Sequence, residues 1–545
     1  MNNKQRLYEV QISVNGESFL LTKETHSPFI KSDVFALTDY KRTKVTLMGA
    51  DGMVLHGGKV FFDCKLGSET QVVTQDADHP FKIEKNLVDF TAPAVKEQTF
   101  LDKIFGFLKK STVGVEKFPS SSFICVQNGE LYHFIGALNE SAHAVYFDVL
   151  PQSNQAVCKI NSENLSADED SLLFDIIEIE GTKDFIIDTF FQLVKKLYNR
   201  EPKTSTPLDV VNVGVEKSGD DNNIAMLKCL EDYTIVCMEN EVGDHSISSY
   251  IQKSEAPLRK ILKNTTEKIL PIAVISPLLC EKTAVEYELF SSDLVKNAKG
   301  KLVTVEIDGK SFFVFDIFSK SIRGYLTRQI DILFSMGFCG VKFANLEVAS
   351  IAKPNKASGD TASYAFDFLY RHMRDKLSIA SGANLNIANG KFDSFVIGKD
   401  ITKIQAQATE IATSQNLTSW DFSGFENLVA MFDINKKYSM AMPIATPAEL
   451  LSFDPTIFDL CCACNMLACK SVNISAPTPA AITRAEQFAF LKDADVSEII
   501  KIDNGKYAII FYFEDNANVC FFNFTKADWI MEDCTVNAFS FNFQE

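Results

Sequence analysis

Residues 303–318 read VTVEIDGKSFFVFDIF. Two apolar-rich strands flank Asp308-Gly309, a dipeptide suited to a two-residue hairpin turn because both central residues take positive φ. The design recurs at Val10–Thr22 around Asn15-Gly16, at Phe123–Ala137 around Asn128-Gly129, and at Ile499–Phe513 around Asn504-Gly505. A weaker copy lies at Leu385–Ile397 around Asn389-Gly390. A Lys or Glu follows the glycine in every case. The pattern predicts a multi-domain α+β fold of antiparallel β-hairpins and meanders with packed amphipathic helices. It carries no chemistry.

Outward from the hairpins, two stretches extend into three-stranded meanders. One uses Phe123–Gln127, Leu131–Leu138 and Ala144–Leu150; the other uses Ile499–Asp503, Lys506–Phe513 and Asn518–Phe524. Apolar residues at three- and four-residue spacings predict helices at Glu97–Lys110, Asp184–Asn199, Ser246–Asn264, Ser319–Met336 and Thr361–Ser378. Short apolar runs at Tyr233–Met238, Ile272–Ser276 and Gly340–Ala344 read as strands, as does Val210–Val215. Leu428–Asp433 and Tyr438–Met442 are expected to pair around Asn435-Lys436, and Thr446–Phe453, Pro455–Lys470 and Pro479–Asp493 read as a helical stretch. The Pro- and Gly-bearing segment 200–223 reads as a linker. The expected domains are an N-terminal α+β portion over 1–199, with a further split weighed near 92–117, a central α+β domain over 224–445, and a helical stretch plus C-terminal meander over 446–545.

Hydrophobic residues make up 46% of the 545 and charged residues 23%, so the bulk of the chain should fold. A net charge of −17 repels phosphate backbones, so no nucleic-acid partner is expected. The longest basic cluster, Lys41-Arg42-Thr43-Lys44, reads as a solvated turn. No segment has the ~18 consecutive apolar residues of a membrane span, and the first residues lack the apolar core of a signal peptide. The 13 cysteines are scattered through apolar runs. Together these predict a cytoplasmic protein with reduced thiols.

Candidate chemistry is sparse. Cys461-x-x-Cys464, with Cys462 and Cys469 beside it, has zinc spacing. A second ligand pair is missing, and the cysteines share one apolar helical stripe with Ile457, Leu460 and Leu467, which favours buried thiols. Gly309-Lys310-Ser311 ends like a phosphate-binding loop, but its first glycine would fall at Thr304. The seven histidines (26, 56, 79, 133, 143, 245 and 372) show no ligand spacing; His372 is flanked by Arg371 and Arg374. Acidic loops at Asp76-Ala77-Asp78 and Asp168-Glu169-Asp170 suit a chain of this charge without binding a cation. No catalytic residue, metal or cofactor is assigned.

The terminal segment Val536–Gln544 has strand periodicity, with Phe539, Phe541 and Phe543 on one face. Such a strand docks on its own sheet or adds to the edge of a neighbour. Forty-five Phe against two Trp, the hairpins and this strand point to a non-enzymatic intracellular scaffold or assembly protein. It would self-associate or bind protein partners, as a viral or secretion-apparatus structural subunit does. The alternatives are an enzyme or host-directed effector built from dispersed Cys, His and Asp residues, and a monomeric protein-binding module.

Overall fold

The structure is a computed structural model. It describes residues 9–544 apart from 15–16, 22–28, 50–53, 65–69, 75–81, 87–119, 139–144, 151–153, 161–164, 167–170, 199–206, 232, 241–244, 266–268, 298–299, 308–309, 352–360, 374–375, 384, 397–401, 404–419, 431–439, 514–515 and 533. The helix expected at Glu97–Lys110, the acidic loops and the Asp308-Gly309 turn itself lie outside the described residues. The chain divides into two compact units, the first made of 1–76, 81–200 and 356–363 and the second of 77–80, 201–355 and 364–545.

The first unit is a β-sandwich. One antiparallel sheet runs in the order 17–21, 9–14, 54–63, 155–160, 145–150, 120–121; the other runs 30–36, 41–47, 171–181, 131–137, 123–128, 71–74, 82–86. Val10, Val60, Phe62 and Phe147 of one sheet share a core with Val45, Ile124, Ile135 and Phe174 of the other. The expected meander at 123–150 is therefore corrected. Strands 123–128 and 131–137 pair in one sheet, whereas 145–150 belongs to the other and pairs with 155–160. The basic cluster is not a turn: Lys41–Leu47 is a strand, and Arg42 donates to both Asp175 carboxylate oxygens at 2.7 and 2.6 Å.

The second unit contains the main departure from expectation, a parallel sheet. Its strands are Val210–Gly214, Thr234–Glu239, Ile269–Ile275, Gly340–Phe343, Leu377–Ala380, Ser394–Val396, Met440–Met442 with Thr446–Pro447, and Asn473–Ser475. Each pairs in parallel with the next in chain order, and the last pairs with the first. Helices intervene, among them Ile247–Thr265, Lys320–Met336, Thr361–Met373 and Pro455–Cys469. This is an eight-stranded β/α barrel. Val210, Ile235, Cys237, Ile272, Ile379, Val396 and Met442 fill its interior.

The fold class read from the sequence, antiparallel hairpins throughout, is corrected accordingly. The hairpin at 304–314 exists, as strands Thr304–Ile307 and Lys310–Val314 joined by Leu279–Cys280, but it is an insertion after the third barrel strand. The segment 385–397 is no hairpin: a helical turn, Leu385–Ala388, leads into the sixth barrel strand. The pairing expected of 428–433 with 438–442 is corrected at its described residues. Ser423–Ala430 is helix, and Met440–Met442 is parallel to the sixth strand. Val210–Gly214, read as a strand within a linker, is the first strand of the barrel.

The seventh strand is delivered in two pieces, because Pro443 has no N–H to give the ladder. Two buried amides repair the seam. Asn465 accepts from Ile444 N–H at 3.1 Å and donates to Ile444 C=O at 2.7 Å. Asn473 donates to Pro443 C=O at 2.8 Å and accepts from Asn212 at 2.5 Å.

Past the barrel, Asp495–Asp503, Lys506–Phe513, Asn516–Asn523 and Ser540–Gln544 form a four-stranded antiparallel sheet. The helix Pro455–Cys469 is buried on nearly all sides. Burial pushes the thiols of Cys461, Cys462, Cys464 and Cys469 up, the last to about 12, which keeps them protonated. Among the described residues no group of three or more His, Cys, Asp or Glu is placed to hold a metal ion, and no helix is long and apolar enough to cross a membrane.

Candidate functional site

Catalytic groups in β/α barrels come from the C-terminal ends of the strands. Side chains alternate along each strand, so the inward positions here follow from the core residues. Ile235 and Cys237 face inward on the second strand, and Glu239 follows them. Ile272 and Val274 do so on the third, followed by Ser276; Ile379 precedes Ser381 on the fifth.

Glu239 reaches Lys342 of the fourth strand at 3.6 Å. The lysine side chain is 10% exposed and that of Glu239 is 40% exposed, so the pair stands at the border between barrel interior and solvent. A lysine inside a four-residue strand whose other members are Gly340, Val341 and Phe343 costs desolvation unless a carboxylate meets it. Beneath the pair, burial pushes the Cys237 thiol up to about 12 in spite of the neighbouring Lys342 cation. Cys237 is thus a neutral packing group.

Beside this pair runs a hydrogen-bonded chain. Ser276 Oγ donates to Asn345 Oδ1 at 2.7 Å, and His245 Nδ1 lies 3.0 Å from Ser276 Oγ. With the serine proton committed to the asparagine carbonyl, Nδ1 is the donor to Ser276, which fixes the neutral tautomer. Asn345 has φ of 56°, a left-handed conformation that asparagine tolerates better than most residues. The His245 ring stands edge-on to Phe312 of the inserted hairpin at 4.8 Å, and the backbone N–H of His245 donates to Glu281 Oε1 at 3.1 Å.

A second carboxylate, Glu347, follows the fourth strand. A Cβ placed on Gly382, just past the fifth strand, would collide with Glu347 Oε2. Gly382 has φ of +74° and so both permits the turn and leaves room for that carboxylate.

The insertion is locked to the barrel by Glu286, which is 2% exposed. Its carboxylate accepts from Tyr325 OH at 2.7 Å, Ser248 N–H at 2.9 Å and Ser246 Oγ at 3.0 Å. Burial acts to raise this carboxyl, but the donated hydrogen bonds outweigh it and hold it below its ordinary value of 4.5. A folded-state value below the unfolded one stabilises at pH above the unfolded value, and that stabilisation is lost as pH falls through the folded value. Glu286→Gln should therefore cost about 1–2 kcal/mol at pH 7 and flatten the fall in melting temperature between pH 6 and pH 3, as read by calorimetry. An equally steep fall in the variant would contradict this role.

The residues singled out from sequence are dispersed. His372 bridges two helices, with Nε2 3.0 Å from Thr327 Oγ1 and Nδ1 2.7 Å from Phe368 C=O. His133 lies in the sandwich, 3.6 Å from Glu178. Of the described histidines, His245 alone joins the mouth cluster. The terminal strand 540–544 pairs with 519–523 of this chain. Phe539 packs on Phe422, Phe541 on Phe488 and Phe522, and Phe543 on Phe490 and Phe511. Sequence reasoning missed Glu239, Lys342, Ser276, Asn345 and Glu347. One signal was present: Lys342 interrupts a strand that is otherwise apolar.

No family profile and no curated protein matches the sequence. Solved structures do match. An α-galactosidase from Thermus thermophilus, in complex with p-nitrophenyl α-D-galactopyranoside, superposes with a TM-score of 0.56 at 9% identity, covering 89% of this chain and 98% of that one. A GH36 α-galactosidase from Geobacillus stearothermophilus with 1-deoxygalactonojirimycin gives 0.52 at 10% identity over 95% and 81% of the two chains. The α-galactosidase from Lactobacillus brevis gives 0.52 at 10% identity over 96% and 79%.

These likenesses overturn the expectation of a viral, secretion-apparatus or other scaffold subunit. That expectation grew from the hairpins and the phenylalanine excess. The hairpins furnish a sandwich, a barrel insertion and a terminal sheet, and many phenylalanines pack inside them. The chain has the fold of GH36 α-galactosidases across nearly its whole length.

Proposed function

We propose that this chain is a glycoside hydrolase that takes an α-linked galactosyl saccharide at the C-terminal mouth of its barrel. The Glu239–Lys342 pair carries the reading. A half-exposed carboxylate beside a nearly buried ammonium offers an acceptor and a donor side by side, which suits adjacent sugar hydroxyls. The related folds include complexes with p-nitrophenyl α-galactoside and with stachyose. Hydrolysis of a glycoside uses two carboxyl groups, one protonating the leaving oxygen and one acting at the anomeric carbon or on water. In this reading Glu239, beside Lys342, takes the second role and Glu347 the proton-donating one. Water adds to the sugar as the alcohol leaves.

The test is release of p-nitrophenol from the α-galactoside and of galactose from stachyose. The native chain is expected to turn over, and Glu239→Gln or Glu347→Gln to lose roughly 1,000-fold or more in kcat. Absence of both binding and turnover with these sugars overturns the proposal. One observation favours a second reading, saccharide binding without cleavage. The inward-facing residues that end strands three, four and five are Ser276, Ala344 and Ser381, and these carry no carboxylate. Binding without turnover in the same assay selects that reading.

A further inference from the structure

The sandwich ends on the strand Ile30–Ala36, an edge. Among the described residues its one strand neighbour is 41–47. The neighbour takes the backbone groups of the odd-numbered residues: Met48 N–H donates to Phe29 C=O, and Leu37 N–H donates to Tyr40 C=O. The N–H and C=O groups of Ile30, Ser32, Val34 and Ala36 therefore point away from the sheet, as antiparallel alternation requires. Beside them stand apolar side chains in water: Val34 is 41% exposed, Phe35 47% and Leu37 55%. Edge strands are normally blunted by charge, proline or bulges against such exposure.

Here the charges do not blunt the edge; they give it a register. Lys31 and Asp33 lie on one face, 2.8 Å apart, with side chains 58% and 39% exposed. In an antiparallel pairing of two copies about a two-fold axis at Ser32, Lys31 falls opposite Asp33 of the second copy, and Asp33 opposite its Lys31. Ile30 then falls opposite Val34 and Phe29 opposite Phe35. The outward-pointing residues Ile30, Ser32 and Val34 are the ones that meet in hydrogen-bonded pairs. Moving the axis to Asp33 would set the two aspartates against each other, and moving it to Val34 would leave both charges facing apolar residues. Like charges opposite one another destabilise, and opposite charges stabilise by up to about 1 kcal/mol a pair.

We propose that the strand Ile30–Ala36 is a self-complementary dimer edge, and that its partner is a second copy of this chain paired antiparallel about Ser32. The interface is isologous, as a two-fold dimer requires. A pairing of one short strand buries less than the area of a standard stable complex, so the dimer is concentration-dependent, with a Kd of the order of 1–100 μM.

The test is sedimentation velocity of the full chain from 1 to 200 μM, with circular dichroism and melting curves as a check on the fold. The native chain should shift from monomer to dimer across this range. Lys31→Asp alone and Asp33→Lys alone should each weaken dimerisation at least 10-fold, since like charges then face each other. An equimolar mixture of these two variants should form a heterodimer, because the two acidic side chains of the first variant then face the two basic side chains of the second. Both positions are exposed, so folding should survive. A native chain that stays monomeric at every concentration, or single variants that dimerise as well as the native chain, would overturn the proposal. So would a mixture that fails to associate while the native chain dimerises.

Discussion

Lys342→Met is expected to weaken saccharide binding by roughly 100-fold while leaving the melting temperature within a few degrees of native. The two halves of this result have separate causes. Lys342 is 8% exposed and its ammonium meets Glu239 at 3.6 Å. Methionine has nearly the same length and fills the same channel between Cys237 and the strand ends. Replacing a buried ionic group by an apolar one of similar shape is often neutral for stability or better. Glu239 keeps access to water, so its charge is not stranded. A sugar hydroxyl that had accepted from the ammonium, however, loses a charge-assisted hydrogen bond in a desolvated place, and such bonds contribute about 1.5–3 kcal/mol. Lys342→Arg is the companion variant. Its planar fork does not fit a point-charge position, so it should restore charge without restoring affinity. Binding by titration calorimetry and melting by circular dichroism separate the two effects; a Lys342→Met variant that binds sugar as well as native would remove Lys342 from the site.

Asn465→Leu should destabilise the second unit by about 3 kcal/mol. Its amide pairs with both backbone groups of Ile444, at the point where Pro443 breaks the seventh strand. Asn465 and Ile444 are both fully buried. Leucine matches the volume but leaves a buried N–H and a buried C=O without partners, and each such group costs about 1–3 kcal/mol. Asn465→Asp should be worse still, because it brings a buried charge that must either ionise or surrender an acceptor. Urea denaturation monitored by circular dichroism measures the loss. A midpoint unchanged in Asn465→Leu would show that the barrel closes without this amide.

Local structure was more legible in the sequence than topology. The strands at 233–238, 272–276 and 340–344 and the helices at 246–264 and 319–336 are read from periodicity and exist within a few residues; the helix read over 361–378 ends at Met373, and Leu377–Ala380 is the fifth barrel strand. Their order, strand then helix in repetition, is the signature of a parallel sheet. Two features hid it. The insertion after the third strand places a hairpin in the middle of the repeat, and its turn chemistry is the strongest local signal in the chain. The sixth and seventh strands have three residues each before the Pro443 break, too short for any period to register. A better guide was composition: Thr234–Glu239 and Gly340–Phe343 are buried along nearly their whole length, as strands covered on both faces must be.

The site was less legible for a geometric reason. Glu239, Ser276 and Lys342 stand at the ends of the second, third and fourth barrel strands, and no spacing rule connects them. The cysteine run drew attention because its members are neighbours in sequence, yet its helix is buried and its thiols stay protonated. The alternation of the terminal phenylalanines is visible in the sequence. Their partners, Phe422, Phe488, Phe490, Phe511 and Phe522, lie in elements that only the fold brings near.

The central proposal is that a saccharide binds at the C-terminal mouth of the barrel. Hydrogen–deuterium exchange of the full chain, with and without stachyose at saturating concentration, locates a bound sugar directly. Slowed exchange confined to the strand ends around residues 237–240, 274–278, 342–347 and 380–383 is the expected result. Unchanged exchange there, or protection confined to the sandwich or the terminal sheet, would contradict it.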